Sequence, residues 1–199
     1  MSVDMSLVKK LREQTGISIL ECKKAIVEAN SDFEKAEELL RKKGFEKAKS
    51  KASRETKQGA VGSYIHTNAK IGVLLELGCE TDFVAKNEDF RALIKDVTMQ
   101  IAAMNPKYIS KDHVPEAVLE KEKEIYKEQM KSSGKPDNII EKIVEGKLKK
   151  YYTEVCLLHQ AFFKNDKQTI EDLIAEKIHK LGENIIVKRF IRYQVGEEF

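Results

Sequence analysis

Apolar residues recur at helical spacing through the first 44 residues, and this pattern predicts three short helices. The capping-box spacing, a serine followed by a glutamate three positions later, occurs twice, at Ser18–Glu21 and Ser31–Glu34. Gly16 and Gly44 are expected to end the first and third helices, because glycine readily takes the left-handed conformation that follows a helix. We therefore predict a compact three-helix domain at residues 1–44.

A highly charged stretch follows at residues 45–58 and carries five basic residues: Lys47, Lys49, Lys51, Arg54 and Lys57. Charge runs of one sign are usually solvated, so we predict a solvent-exposed helical linker there. An RNA-binding surface is the alternative, since clustered lysines and arginines can neutralise phosphates.

The hydrophobic period changes after this stretch. Two runs rich in β-branched and apolar residues, 59–67 and 70–80, predict a β-hairpin. A third such run at residues 183–197 can pair with the hairpin and complete an antiparallel three-stranded sheet. A helix lies between them, with an apolar stripe at Phe90, Leu93, Ile94, Val97, Ile101 and Met104.

The remaining segments are predominantly helical. Residues 115–132 predict a long, partly solvated helix that is broken at Gly134–Pro136. Two further helices are predicted to meet near Gly146, and a loop is expected at residues 159–168. A last helix is predicted to begin at Thr169.

These elements together predict an α+β protein. The three-helix head at residues 1–44 is followed by the linker at residues 45–58 and by an α+β core domain at residues 59–199. In that core a small antiparallel sheet of three strands packs with helices, which include a long helical hairpin. A hydrophobic content of 41% is sufficient for such a packed core.

The cysteine content and the N-terminus indicate a cytoplasmic protein. The three cysteines, Cys22, Cys79 and Cys156, are far apart in sequence and odd in number, which is typical of buried, reduced thiols. The N-terminal residues contain no apolar signal core, and the longest apolar run is too short to span a bilayer. A net charge of +3 is mild, so we expect no direct, specific binding of nucleic acid by the chain as a whole.

The sequence lacks the familiar motifs of cofactor and metal chemistry. It has no glycine-rich phosphate loop and no nucleotide-binding fingerprint. Cys156 and His159 lie three positions apart, but no second pair completes a tetrahedral zinc site. We therefore expect no catalytic residues, no cofactor, no metal and no enzymatic activity.

One short stretch, CETDFVAKNEDF at residues 79–90, lies between the end of a predicted strand and the start of a predicted helix. Asp82 and Phe83 are therefore expected at a corner, where side chains project away from the core. Thr81 can cap a short helix that presents them both, and Asn87 can cap the next helix. Phe83 has two possible environments: it packs in the core of this protein, or it contacts a partner.

Four segments together resemble elongation factor Ts. They are the stretch from LREQTG to LLRKKG at residues 11–44, TDFVAK after a strand, GKPDNIIEKIVEGKLKKYYTEVCLLHQAFF at residues 134–163, and RFIRYQVGE near the end. The resemblance covers nearly the whole chain, in order.

The resemblance implies a guanine-nucleotide exchange factor for elongation factor Tu, the GTPase that carries aminoacyl-tRNA to the ribosome. Such a factor releases GDP and performs no covalent chemistry. It also implies that the head is similar to a ubiquitin-associated domain and docks on the GTPase domain of the partner. Carried over to this sequence, the segment that displaces the magnesium site of the partner is Thr81, Asp82, Phe83 and Val84.

Further contacts with the partner are implied for residues outside this corner. Lys23 matches a contact of the head, and Gln160, Phe162 and Phe163 match a loop that touches the third domain of the partner. Core packing remains the alternative for one of the two phenylalanines. His66 is also implied to contact the partner, but it lies beside a turn that departs from the family pattern, because Asn68 and Ala69 stand where glycines are usual. We expect Asn68 to take the left-handed conformation there.

The chain resembles short members of the family, which lack a second subdomain and can pair two copies through their sheets. We therefore expect a homodimer, or a complex of two factors with two GTPases. Two alternative functions remain: a ubiquitin-like or peptide-binding adaptor, suggested by the head, and an RNA-binding factor, suggested by the linker.

Overall fold

The computed structural model describes residues 4–131 and 136–197. Within these ranges the chain forms eight α-helices: α1 (Met5–Thr15), α2 (Ile19–Glu28), α3 (Phe33–Lys51), α4 (Asp82–Lys86), α5 (Glu88–Met104), α6 (Glu116–Lys131), α7 (Asp137–Val155) and α8 (Ile170–Leu181). The same ranges contain five strands: β1 (Gln58–Ile65), β2 (Ile71–Cys79), β3 (Ala161–Phe162), β4 (Asn165–Thr169) and β5 (Ile185–Gln194). The predicted α+β class is confirmed.

The chain divides into two compact units. The first is formed by Met1–Thr98 together with Glu171–Phe199, and the second by Met99–Ile170. The sequence predicts a different division, into a head, a linker and a core with boundaries after residues 44 and 58. It describes parts that fold independently, and it stays a prediction. Along the described ranges, none of the helices is both long enough and apolar enough to cross a membrane.

The head consists of α1, α2 and the first part of α3. Gly16 ends α1 with a φ of 65°, and Ser18 caps α2, both as predicted. The predicted cap of α3 is wrong by one residue. Asp32 accepts the N–H of Lys35 at 3.1 Å, whereas Ser31 lies in the preceding turn with a φ of 65°. The buried core of the head includes Val8, Leu11, Cys22, Ala25, Ile26 and Leu40.

The prediction that Gly44 ends the third helix is wrong, because α3 continues to Lys51. Contacts beyond the glycine stabilise this extension. Lys47 forms an ion pair with Glu21, and the Lys51 ammonium donates a hydrogen bond to the carbonyl of Gly182 at 2.7 Å. These contacts offset the cost of about 1 kcal/mol that glycine imposes on a helix interior.

The sheet of the first unit has the predicted antiparallel arrangement, with strand order β1-β2-β5. Helix α5 packs on one face of this sheet, and five of the six predicted stripe residues are buried; Met104 is the exception at 48% exposed. A glycine permits the close approach of the helix, because a Cβ atom at Gly62 would lie 1.9 Å from Cγ2 of Ile94.

The turn between β1 and β2 differs from the prediction. Ala69, rather than Asn68, takes the left-handed conformation, with a φ of 56°. The Asn68 side chain is used differently, because its Oδ1 accepts the N–H of Lys70 at 3.0 Å. This bond holds Asn68 in the turn and leaves the positive φ to the following residue.

The second unit contains the predicted helical hairpin, formed by α6 and α7. The predicted helix boundary at Gly146 is wrong, because α7 passes through it. Its neighbours are mostly strong helix formers, and these offset the glycine. The predicted break at Gly134–Pro136 falls largely on residues 132–135, which lie outside the described residues; Pro136 precedes α7.

Residues 159–168, predicted as a loop, instead contain the short hairpin β3–β4. The side chain of Gln100 fixes this hairpin. It donates to the carbonyl of Ala161 at 3.0 Å and accepts the N–H of Phe163 at 3.0 Å. A loop prediction from local sequence misses such an element, because the stabilising side chain lies about 60 positions away.

Candidate functional site

The corner, Thr81–Val84, begins two residues after β2 ends and includes the first turn of α4. Thr81 caps this helix as predicted, since its Oγ1 accepts the N–H of Val84 at 3.4 Å. Asp82 pairs with Lys86 one turn later, at 2.7 Å. The hydrogen bond from Lys86 and its positive charge hold the pKa of Asp82 below its ordinary value. Asp82 therefore presents an ionised carboxylate at the surface.

Phe83 points out of the protein. It is 82% exposed, more than any other large hydrophobic residue in the ranges that the structure describes. Single exposed apolar residues are common on surfaces and need no explanation by themselves. Phe83 differs from them because it lies on a corner whose backbone is held by hydrogen bonds. Its exposure also rules out the alternative that the ring packs in the core of the protein.

The backbone of the corner is held from the loop between α8 and β5. One oxygen of the Glu183 carboxylate accepts the N–H groups of Glu80 and Thr81, at 3.1 and 3.0 Å. Its other oxygen accepts the hydroxyl of Thr81 at 2.6 Å. In return, the N–H of Asn184 donates to the Glu80 carboxylate at 2.6 Å. Sequence reasoning missed Glu183 and Asn184, because no local pattern indicates a contact across about 100 positions.

Cys79, the last residue of β2, is a structural residue. Its thiol is buried and donates to the carbonyl of Thr81 at 3.1 Å. Burial raises the pKa of Cys79 to about 11, and the nearby carboxylate of Glu183 acts in the same direction. A thiol with so high a pKa is almost entirely protonated near neutral pH, so it is a poor nucleophile.

A second exposed surface lies on α2 of the head. Lys23 is exposed, and it is flanked on the same face by Leu20 at 62% and Val27 at 54% exposed. Residues three, four and seven apart on a helix share one side, so these three form a contiguous strip. Sequence reasoning named Lys23 alone. The two apolar neighbours could have been found from their position opposite the buried residues of α2.

The predicted partner contacts at residues 160–163 separate into buried and exposed side chains. Gln160 is 1% and Phe162 5% exposed, whereas Phe163 is 44% exposed. Gln160 accepts from Gln100 at 3.2 Å and donates to the carbonyl of Glu154 at 2.9 Å, which gives it a role inside the protein. The prediction of a direct partner contact is therefore kept for Phe163. Core packing, the alternative for one of the two rings, accounts for the burial of Phe162.

His66 follows β1 and is half-buried. Its Nδ1 lies 3.0 Å from the hydroxyl of Tyr64, so the two side chains are hydrogen-bonded. The contact fixes the ring beside the turn between β1 and β2. Its predicted role at a partner surface stays a prediction.

The sheet face opposite α5, here called the outer face, is apolar and exposed. Val73 and Leu75 point to the inner side and are buried. Ile65 points to the outer face and is 64% exposed. An ion pair between Glu76 and Arg189, at 2.7 Å, lies on the outer face as well. Its exposed apolar members are Val61, Ile65, Leu74, Ile191 and Tyr193.

No group of three or more His, Cys, Asp or Glu side chains could hold a metal ion in the part of the chain that the structure describes. The arrangement at the corner offers instead an aromatic ring, an ionised carboxylate and a fixed backbone. The corner therefore presents an exposed ring and a charge on a backbone that is held by hydrogen bonds.

Comparison with known proteins places these features in a family. Residues 5–197 match the family model described as "Elongation factor TS". The elongation factor Ts of Fervidobacterium nodosum is 56% identical over 197 residues, which cover 99% of this chain and 100% of that protein. The elongation factor Ts of Thermodesulfovibrio yellowstonii is 57% identical over 197 residues, covering 99% of this chain and 98% of that protein. The chain therefore belongs to the elongation factor Ts family, a family of translation elongation factors.

Proposed function

We propose that this chain acts in the cytoplasm as a guanine-nucleotide exchange factor for a GTPase of the elongation factor Tu type. It binds the GDP-loaded GTPase and promotes release of GDP, so that GTP can bind in its place. The reaction needs no covalent step by the factor, because nucleotide release is a change of binding equilibrium.

The observation that carries the proposal is the exposure of Phe83 on a corner whose backbone is fixed by hydrogen bonds. A GTPase holds its nucleotide largely through a magnesium ion that bridges phosphate oxygens and through backbone amides around the phosphates. An aromatic ring inserted between the elements that carry these ligands displaces them. Asp82 adds a negative charge beside the ring, where it competes for polar contacts near the ion.

The mechanism is a mutual antagonism between factor and nucleotide. By thermodynamic linkage, the factor lowers the affinity of the GTPase for nucleotide by the same ratio by which nucleotide lowers its affinity for the factor. Interactions that exist only in the nucleotide-free complex therefore drive release. Phe83 is the group expected to contribute most, since buried aromatic anchors dominate the energetics of interfaces.

Two other surfaces are proposed to bind the same GTPase. The strip of Leu20, Lys23 and Val27 on α2 has the apolar-plus-basic character of a helix docking face. Phe163 on the β3–β4 hairpin offers a half-exposed ring for the third domain of the partner. These contacts strengthen binding to the GTPase, whereas the contacts of the corner are made only in the nucleotide-free complex and therefore promote nucleotide release.

The outer face of the sheet is proposed to pair two copies of the chain. Five apolar residues on this face are between 42% and 68% exposed, and apolar surfaces of this kind mark interaction sites. The result is a homodimer, or a complex of two factors with two GTPases. Sedimentation at micromolar concentrations checks this: Leu74→Glu should shift the protein to monomer, and a wild-type monomer both alone and with the GTPase would contradict it.

The linker is less suited to RNA than its composition indicated. Lys47 and Lys51 contact other parts of the chain, Arg54 pairs with Glu80 at 3.4 Å, and Lys57 pairs with its neighbour Glu55. Intramolecular pairing reduces the charge available for phosphates. The adaptor function of the head would leave the corner without a role, and no observation on the described residues favours it.

One experiment separates these functions. A GTPase of the elongation factor Tu type is loaded with a fluorescent GDP analogue and mixed with this protein and an excess of unlabelled nucleotide. We expect the release rate to rise with factor concentration and to saturate. An unchanged release rate at every factor concentration would refute the proposal, and RNA binding that falls steeply with salt would support the RNA-binding alternative instead.

A further inference from the structure

We infer that Glu183 is a positioning residue for the corner: its carboxylate fixes the direction in which Phe83 is presented to the GTPase. This inference rests on the proposed function, and it assigns a role in nucleotide release to a residue outside the segment 81–84. Glu183 has this role without touching the partner. It acts through the backbone and hydroxyl of Thr81.

The helix that carries Phe83 is too short to be stable or oriented without contacts to the rest of the chain. Helix α4 contains five residues, Asp82–Lys86, and an isolated helix of this length is unstable in water because nucleation is costly. Phe83 also makes little contribution to holding the corner, since its ring is largely in solvent. The direction of the ring is therefore set by the contacts that α4 makes with the rest of the chain, which are its packing on β1 and β2 and the hydrogen-bonded backbone that enters it.

Glu183 supplies this constraint with three hydrogen bonds to two consecutive residues. Its carboxylate accepts the backbone N–H groups of Glu80 and Thr81 and the hydroxyl of Thr81, at distances between 2.6 and 3.1 Å. Hydrogen bonds to an ionised acceptor are stronger and better defined than neutral ones. Two adjacent N–H groups that point at one carboxylate restrain the two peptide planes on either side of the Glu80 Cα.

The third bond also orients the cap of α4. The hydroxyl of Thr81 has one proton, and donating it to Glu183 leaves the oxygen lone pairs for the N–H of Val84. The same hydroxyl thus acts as a hydrogen-bond donor to Glu183 and as an acceptor in the cap of α4. Loss of the carboxylate would free the hydroxyl to rotate and would weaken the cap on the helix that carries Phe83.

The loop that holds Glu183 is itself anchored. Asn184 donates its N–H to Glu80 at 2.6 Å and its side-chain amide to the carbonyl of Arg54 at 2.9 Å. Asn184 is 2% exposed, so these bonds are shielded from water. The hydrogen bonds of Glu183 and Asn184 therefore link the corner to the start of β5 and to the segment that follows α3.

The test compares Glu183→Gln with the wild-type protein in GDP release at saturating factor. The amide retains the size of the side chain but replaces one acceptor oxygen with a donor, so it cannot accept all three bonds. We expect a release rate about 10-fold lower, as when one well-placed hydrogen-bonding group is lost. The factor concentration for half-maximal release should change much less, because the docking surfaces are intact.

A double mutant shows whether the effect passes through the ring. In a Phe83→Ala background, Glu183→Gln should lower the rate by no more than about 2-fold, because residues that act as one unit are not additive. An equal effect in both backgrounds would overturn the inference. Matched controls are Glu38→Gln, which removes an exposed ion pair with Lys42, and Leu75→Val, which lowers stability in the sheet core. Both should retain the wild-type rate when folded.

Hydrogen exchange provides a readout that does not depend on the GTPase. The amides of Thr81 and Val84 should lose protection in Glu183→Gln, while amides in β1 and β2 should not. Glu183→Asp, which keeps the charge but shortens the side chain, should give a smaller loss of the same kind and serves if the amide variant fails to fold.

The failures are distinguishable. If wild type does not accelerate GDP release, the proposed function fails and the inference fails with it. If Phe83→Ala reduces release but Glu183→Gln releases GDP at the wild-type rate with unchanged amide protection, the positioning role alone is wrong.

Discussion

The corner at residues 81–84 and the hairpin segment at residues 160–163 use their hydrogen bonds in opposite ways. At the corner, Glu183 binds backbone groups and a small hydroxyl, and the large side chain of Phe83 stays outside. In the hairpin segment the Gln160 side chain is itself a member of the internal network, and the Phe162 ring is buried.

The difference shows how a protein keeps a side chain available for a partner. A residue whose backbone carries the structural bonds can present its side chain freely and still be well positioned. A residue whose side chain forms those bonds is already committed to its own fold. Substitutions of Gln160 and Phe162 should therefore change stability, and substitutions at the corner should change nucleotide release.

The largest expected effect on stability is that of Phe162→Ala. Removing a buried aromatic ring leaves a cavity and costs about 3–5 kcal/mol in the free energy of unfolding. Chemical denaturation measures this loss. Phe163→Ala is the matched control, because its ring is 44% exposed and its removal should cost much less. Equal losses for the two variants would break the distinction between the buried and the exposed ring.

Gln160→Ala is the next in size. It leaves one N–H of Gln100 and the part-buried carbonyl of Glu154 without the bonds that Gln160 forms, although the Gln100 amide still donates to the carbonyl of Ala161. Such groups cost about 1–3 kcal/mol in the free energy of unfolding. GDP release by the folded variant at saturating factor should match wild type; a slow release with unchanged stability would place Gln160 at the partner surface instead.

Asp82→Ala tests the charge beside the ring. We expect a decrease in the GDP-release rate of less than about 10-fold, because water recovers part of any polar contact made there. The variant loses the exposed ion pair with Lys86, and its thermal unfolding should stay near wild type. Asp82→Asn is the isosteric control: if it releases GDP as wild type does, the negative charge is not needed.

The smallest expected effect is a pH dependence within the first unit. His179 is buried beside Glu21, with its Nε2 3.0 Å from the carboxylate. Burial lowers the pKa of His179 below 6.5, and the charge of Lys47 acts in the same direction. Burial alone would raise the pKa of Glu21, but the hydrogen bond from Lys47 and the contact with His179 together lower it below 4.5.

Both shifts predict the same sign. The unfolded chain binds a proton at His179 before the folded chain does, so stability is full above pH 6.5 and decreases as the pH falls below it. Glu21 contributes stability above pH 4.5 that is lost on further acidification. Denaturation midpoints between pH 8 and pH 4 measure the slope, and His179→Gln should remove the part that begins near pH 6.5. A slope unchanged by this variant would contradict the assignment.

Sequence reasoning succeeded where the determining interactions are local. The cap by Thr81 and the hairpin of β1 and β2 follow from residue type and period along a few neighbours, whereas the residues alone left two environments open for Phe83. Small errors arose where two local solutions compete, as with Asp32 in place of Ser31 as a cap and Ala69 in place of Asn68 at positive φ.

Contacts between distant positions account for the larger errors. The extension of α3 past Gly44 depends on Lys51 reaching Gly182, and the β3–β4 hairpin depends on Gln100. Glu183 could not be found at all, because its partners lie about 100 positions earlier in the chain. Its signal in the sequence is a single acidic residue before a strand.

We expect Phe83 to serve the partner and not the fold, and a pair of measurements distinguishes these two roles. GDP release at saturating factor is measured for wild type and Phe83→Ala, and thermal unfolding is measured for the same two proteins without the GTPase. We expect Phe83→Ala to lose about 2–4 kcal/mol of the stabilisation that drives GDP release, roughly 30-fold to 1000-fold in rate, and to unfold at a temperature near that of wild type. A Phe83→Ala protein that unfolds at a much lower temperature, yet releases GDP at the wild-type rate while folded, would contradict this expectation.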